Sequence, residues 1–296
     1  VDLVYDALKD DEELVAFYRE RGGCDYDGDG TVSGEDILYN LNRNLFAYAY
    51  EFLDRTLPLA GGDFLTSSLY SLVHLGACLG NGEMIHQALN CPTGIYNVRT
   101  NSFFRDGKFW YDSSGYCMSH GPSAISIAEW TLGFTDPERF PEPMDLYRDP
   151  KLRIADMLRL GEKVQCDGQL PQIGDTGGGR TRRVAWPYSF SDEMGYIRLA
   201  EDREYYAQRI LRGTGGNPDS GRVGGDLQLL FHAEPWEGPT EVDGEVELRS
   251  EMLHDSGFCI LRAGRNQELR RHVVLNFSKG NRGHGHSDKL AVNIIS

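Results

Sequence analysis

No apolar run in this chain of 296 residues approaches the ~20 residues that a membrane-spanning helix needs, so a soluble protein with no membrane partner is expected. Positive charge is scarce. Lys and Arg number 30 against 45 Asp and Glu, a net charge of −15. Nucleic acids are held through clustered Lys and Arg, so that balance argues against a nucleic-acid partner. An anionic substrate stays open, because a local basic cluster overrides the mean field within a Debye length of about 8–10 Å. Organised cysteine is also lacking: Cys24, Cys78, Cys91, Cys117, Cys166 and Cys259 are scattered with no C-x-x-C. Zinc-ribbon and thioredoxin-type readings therefore fail, and the redox state stays open. The start, Val1-Asp2-Leu3-Val4, has neither a basic stretch nor an apolar core, so a signal peptide is absent or has been removed.

The rest of the composition is that of a globular protein. Hydrophobic residues make up 40% and charged residues 25%, and the length suffices to bury a large core in one domain or two. Helical spacing dominates the first two-thirds. One apolar stripe is Leu38, Leu41, Leu45, Tyr48 and Phe52; a second is Leu69, Leu72, Val73, Gly76 and Leu79. After Gly80-Asn81-Gly82 the second continues through Ile85, Ala88 and Leu89. The same spacing returns at 124–132, 152–160 and 200–211. Beyond the Pro- and Gly-containing stretch 234–239, β-type runs appear at 258–261, 273–277 and 290–295. Helices first and strands afterwards predict a helical domain over 1–240 and a β-domain over 241–296, rather than an alternating α/β sheet.

The segment 25–36 has acidic residues at loop positions 1, 3, 5 and 12, Gly at 6 and an apolar residue at 8. A hard cation needs several oxygens at fixed reach, and the glycine allows the sharp turn by which Asp25, Asp27 and Asp29 converge. Calcium is expected here, with the Thr31 carbonyl and Asp36 completing the set. The pattern resembles EF-hand and dockerin loops, with Asp36 where an EF-hand has Glu. A single unpaired loop suits a structural calcium that staples two helices. An acidic solvated turn is the plainer alternative.

At the other end, Arg282-Gly283-His284-Gly285-His286-Ser287-Asp288 runs into the alternating strand Leu290, Val292, Ile294. Residues i and i+2 of an extended segment face one side, so His284 and His286 can share a pocket. Two further segments carry reactive groups. One is 106–116, from Asp106-Gly107 through Asp112 to Tyr116; the other is Pro171-Gln172-Ile173-Gly174-Asp175, followed by glycines and Arg180, Arg182 and Arg183.

In that order, a D-G-x-x-x-E-x-S-x-x-Y segment, a P-x-x-G-D segment and an H-x-H-x-D before a strand, the chain resembles the heparinase II/III-like polysaccharide lyases. Tyr111 stands where the first motif usually has Glu. The resemblance covers most of the chain and implies a mainly α fold, an incomplete α/α toroid of helical hairpins followed by the first strands of a β-sandwich. Because the chain stops eight residues after Asp288, the sandwich is expected to be truncated here. Tyr116 falls on the family's catalytic tyrosine, His284 on its site histidine, and His286 on a ligand of a zinc ion whose other ligands would lie further on. The implied reaction is β-elimination on an acidic polysaccharide by a secreted or periplasmic enzyme.

Such chemistry calls for these residue types. Removing the C5 proton beside a carboxylate builds a second negative charge, which needs a cationic or donor group, a base at C5 and an acid at O4. Tyrosine serves at either step if nearby positive charge favours its phenolate. His284 can neutralise the carboxylate or act as base, and Arg180 and Arg183 offer forked donors to substrate acids. The arginines also read as a solvated loop. Asp175 reads equally as a helix cap. His120 reads first as structural, and otherwise as a substrate-binding group. Many relatives carry an Asn-His pair before the D-G segment; here 61–66 has neither, so His120, Arg99 or a loop arginine would have to substitute. Two further functions stand beside the lyase: a non-catalytic glycan-binding or scaffold protein, and a glycoside hydrolase using Asp112 and Asp175.

Overall fold

The computed structural model describes residues 5–57, 62–102, 105–106, 120–166, 170–171, 173, 190–218, 235–243, 249–264, 270–277 and 290–295. The chain is mainly helical and ends in a small antiparallel sheet of four strands. The helices are α1 (Tyr5–Leu8), α2 (Glu12–Glu20), α3 (Gly34–Leu41), α4 (Ala47–Thr56), α5 (Gly62–Cys78), α6 (Gly82–Asn90) and α7 (Ile95–Ser102). They continue with α8 (His120–Thr131), α9 (Ile154–Val164), α10 (Phe190–Arg198) and α11 (Arg203–Gly213). A π-helical turn, Asn42–Phe46, joins α3 to α4. The strands are β1 (Glu251–Leu253), β2 (Phe258–Ala263), β3 (Arg271–Asn276) and β4 (Ala291–Ile295), paired in sequence order.

Packing divides the chain into two compact units, residues 1–98 with 130–144, and 99–129 with 145–296. The change from helix to strand near residue 240 is thus a change of secondary structure inside the second unit. The reason lies in the sheet's inner face. Leu253, Phe258, Ile260 and Val274 are buried against Leu160 and Val164 of α9 and against Leu170 and Ile173. Arg262 reinforces this seam by donating from Nη2 to the carbonyls of Lys163 and Gln165 at the C-terminal end of α9, at 2.8 and 2.7 Å. Those are carbonyls with no partner inside the helix.

In the first unit the stripe through Leu69, Leu72, Val73, Ile85, Ala88 and Leu89 is the buried face of the α5–α6 hairpin. The turn forms because Gly80 takes a positive φ of 62° and Asn81 caps α6 by accepting the Met84 N–H at 3.1 Å. Gly76 lets the two helices touch, since a Cβ there would lie 2.8 Å from Ile85.

The other stripe needs correction. Leu38 is buried, but Leu45, Tyr48 and Phe52 are exposed, and Phe46, Leu53 and Leu57 are buried in their place. The π-turn is the cause. One extra residue in the turn rotates all that follows by roughly 100°, the angle per residue of an α-helix, so the buried positions fall one residue later.

Alternation alone leaves open which face of β4 meets the core. Its alternating residues line the outer face of the sheet, in two rows: Met252, Cys259, Leu275 and Val292, then Leu261, Val273 and Ile294. Met252, Leu261, Val292 and Ile294 are exposed, the last by 74%, so the apolar row points away from the described core.

Candidate functional site

The loop at 25–36 lies between α2 and α3. Gly28 and Gly30 have φ of 77° and 90°, the left-handed region that glycine enters without a steric cost. The carboxylates of Asp25, Asp27 and Asp29 offer oxygens within 4.8 Å of one another. Each also accepts a backbone N–H from within the loop. Asp25 takes those of Gly28 and Gly30 at 2.7 and 2.8 Å, Asp27 that of Asp29 at 3.0 Å, and Asp29 that of Thr31 at 2.7 Å.

Asp36 closes the loop in another way. It is 2% exposed, accepts the N–H of Tyr26 at 2.6 Å through Oδ1, and accepts the N–H of Ser33 at 2.8 Å through Oδ2. Ser33 returns the bond as the N-cap of α3, forming a capping box. The N–H groups of Ser33 and Tyr26 hold the Asp36 carboxyl below the usual carboxylate range. For Asp27 the N–H of Asp29 pulls downward, but lost solvation, the charge of Asp29 and a hydrogen bond with Asp25 outweigh it. Its pKa is raised. That is the expected result of crowding anions, and a bound cation would relieve it. Three convergent carboxylates are donors of the type a hard cation takes, and exposed acidic groups also cluster in this way without one. Asp36 is already engaged by the loop: Oδ1 accepts the Tyr26 N–H, and Oδ2 accepts both the N–H and the hydroxyl of Ser33.

Of the residues expected to carry chemistry, His120 opens α8 and is 4% exposed, at the point where Gly121 lets that helix meet Leu158 and Met157 of α9. Arg99, a candidate to replace the absent Asn-His pair, is 6% exposed and donates from Nε to the Leu152 carbonyl at 2.6 Å. Both are buried. Tyr116, Arg180, Arg182, Arg183, His284, His286, Asp112 and Asp175 lie outside the described residues. Among the described tyrosines, Tyr26, Tyr50, Tyr147 and Tyr206 have displaced pKa values, all upward and chiefly through burial. None of these four is poised to be a phenolate at neutral pH.

The structure adds a juxtaposition that spacing does not reveal. Leu253, Phe258, Asn276 and Ala291 form one row at an end of the sheet. The β1–β2 turn, His254 to Gly257, therefore closes at the same end where β3 leaves and β4 begins. The connection across that gap contains His284 and His286. To this end comes Asp106, whose Oδ2 accepts the N–H of Ser256 at 3.0 Å across 150 positions. Gly257 in turn accepts the N–H of Phe277, just past β3, at 2.7 Å. The segment that leads to Tyr116 and the segment that bears the two histidines thus both start from one end of the sheet. Ser256-Gly257 between two apolar runs signals a turn in the sequence, but nothing there names Asp106 as its partner.

No protein-family model and no curated protein matches the chain.

Proposed function

We propose that the chain cleaves uronate-containing polysaccharide by β-elimination, outside the cytoplasm, on an incomplete α/α toroid followed by the opening sheet of a β-sandwich. The observation that supports this reading is that Asp106 meets the β1–β2 turn at the end of the sheet where β3 ends and β4 begins. The two motifs lie far apart in sequence, and elimination requires their groups around a single sugar. In this reading a base removes the C5 proton, the C4–O4 bond breaks as the C4–C5 double bond forms, and an acid returns a proton to O4. Tyr116 moves protons, His284 offsets the carboxylate charge, and Arg180, Arg183 and His120 are the candidates for holding substrate acids. His286 is assigned to a zinc site. The exposed apolar face of the sheet supports the sandwich, because such a face is stable in water when a second sheet covers it.

The loop at 25–36 is assigned to structural calcium, as a staple between α2 and α3. Its role is stability and not catalysis.

A screen of acidic polysaccharides, read by the ultraviolet absorbance of an unsaturated product, tests the reading. Tyr116→Phe should lower turnover by about 10²-fold or more while the melting temperature holds, since only an ionisable hydroxyl is lost. Near-normal turnover would remove Tyr116 from the chemistry. A new reducing end without unsaturation would point to a hydrolase using Asp112 and Asp175. Retention on glycan without any product would point to a binding protein, the second reading, which the missing Asn-His pair at 61–66 favours.

A further inference from the structure

We propose that the outer face of the β1–β4 sheet is a self-association surface, on which the same face of a second copy of this chain supplies the second sheet of a sandwich. This rests on the sandwich part of the reading above and needs nothing of the elimination.

Alternation builds the face. The four strands pair antiparallel in sequence order, so the residues between the inward Leu253, Phe258, Ile260 and Val274 all point outward together. Among them Met252, Leu261, Val292 and Ile294 are 47%, 55%, 57% and 74% exposed. Val273 and Leu275, on β3, are half-buried. Of the outward side chains of the four strands only Arg271 is charged, and it stands beside Ala263 at the rim. A contiguous apolar surface of this kind, with its charge at the edge, marks a place of association.

The chemistry and size of the face choose the occupant. A partner that brought charge to it would lose the hydration of that charge against two rows with nothing to pair it. What fits is another apolar sheet with the same twist, and the chain carries that surface itself. Twisted sheets pack face to face at about 30° with their side chains interdigitated, and a two-fold axis through the face makes it its own complement. The exposed area is on the order of 500–600 Å² per copy, so two copies would bury roughly 1,000–1,200 Å². Specific interfaces of standard size bury about 1,200–2,000 Å², which makes this a reversible dimer at the lower edge. Against it stands a net charge of −15 on each copy. Salt screens that repulsion within about 10 Å at 0.1 M and about 3 Å at 1 M, so the dimer should tighten as salt rises. An interface held by ion pairs would respond the other way.

Sedimentation of the 296-residue chain over a range of concentrations, at about 0.1 M and about 1 M salt, tests this. A monomer–dimer equilibrium should appear and should be stronger at the higher salt. Ile294→Lys and Val292→Lys, both at exposed positions, should each weaken it by about 10-fold or more while the melting temperature holds. Phe52→Lys is the control: that ring is 65% exposed on α4 in the first unit, and its loss should leave the dimer unchanged. Should a lysine unfold the sheet, the wild type still decides, because hydrogen exchange in β1–β4 should slow with rising concentration while exchange in α4 does not. A monomer at every concentration and salt would overturn the proposal. So would a dimer that salt weakens, one that both sheet variants leave intact, or one that Phe52→Lys weakens as strongly. Elimination is read separately by ultraviolet absorbance, so a monomer with an unsaturated product would sink the dimer and leave the lyase reading standing.

Discussion

In the loop at 25–36 the four aspartates accept backbone hydrogen bonds from residues at most ten positions away, whereas the bond from Ser256 to Asp106 spans 150. The loop is shaped by side chains acting on their own backbone, and its cap, glycines and carboxylates form one continuous string. The sheet end is shaped by packing. Asp106 reaches Ser256 through the packing of the second unit, since nothing local brings those residues together. A local site survives damage elsewhere in the fold. One assembled at long range depends on the core beneath it.

The sharpest way to break this contrast is Leu160→Ala. Leu160 is fully buried between α9 and the sheet, so the change should cost about 2–5 kcal/mol. Denaturant titration would read that loss, and exchange at Ser256 should rise with it. Calcium affinity of the loop should be unmoved. A matching loss of calcium affinity would mean that the two regions are coupled.

Calcium itself should come next in size. At about 100-fold above its dissociation constant the ion adds roughly 2.7 kcal/mol to the folded state. Chelation should therefore lower the melting temperature of the wild type and leave Asp25→Ala unchanged. Identical wild-type curves with and without chelator would dismiss the staple.

The smallest effect sharpens the electrostatics. Because its folded pKa is raised, Asp27 contributes stability that is complete below the ordinary carboxyl value, about 3.9, and lost as pH rises through the folded value. Without calcium, Asp27→Asn should then melt slightly higher than wild type at neutral pH. The gain should vanish as pH falls below about 3.9. A lower melting temperature at neutral pH under chelation would contradict the crowding.

Legibility followed the same division. The α5–α6 stripe was readable because an uninterrupted helix keeps one angle per residue: Leu69, Leu72, Val73, Ile85, Ala88 and Leu89 are buried as their spacing predicts, and Leu79 is half-buried. The stripe through Leu45, Tyr48 and Phe52 misled because Asn42–Phe46 wind as a π-turn, which spacing does not announce. The runs at 258–261, 273–277 and 290–295 announced β2, β3 and β4, while the short β1 went unnoticed. Alternation also left open which face of β4 meets the core, since it marks two faces without saying which is covered.

The sequence by itself determined the helices before the strands and the tight loop with its convergent carboxylates. Each depends on residues within a few positions of one another, where propensity, capping and periodicity act. Tertiary structure alone decided that the sheet packs with α9 in the second compact unit, that His120 and Arg99 are buried, and that Asp106 meets Ser256. Those outcomes depend on which apolar faces bury each other across long separations, and burial is a property of the packed chain that no short stretch of residues carries.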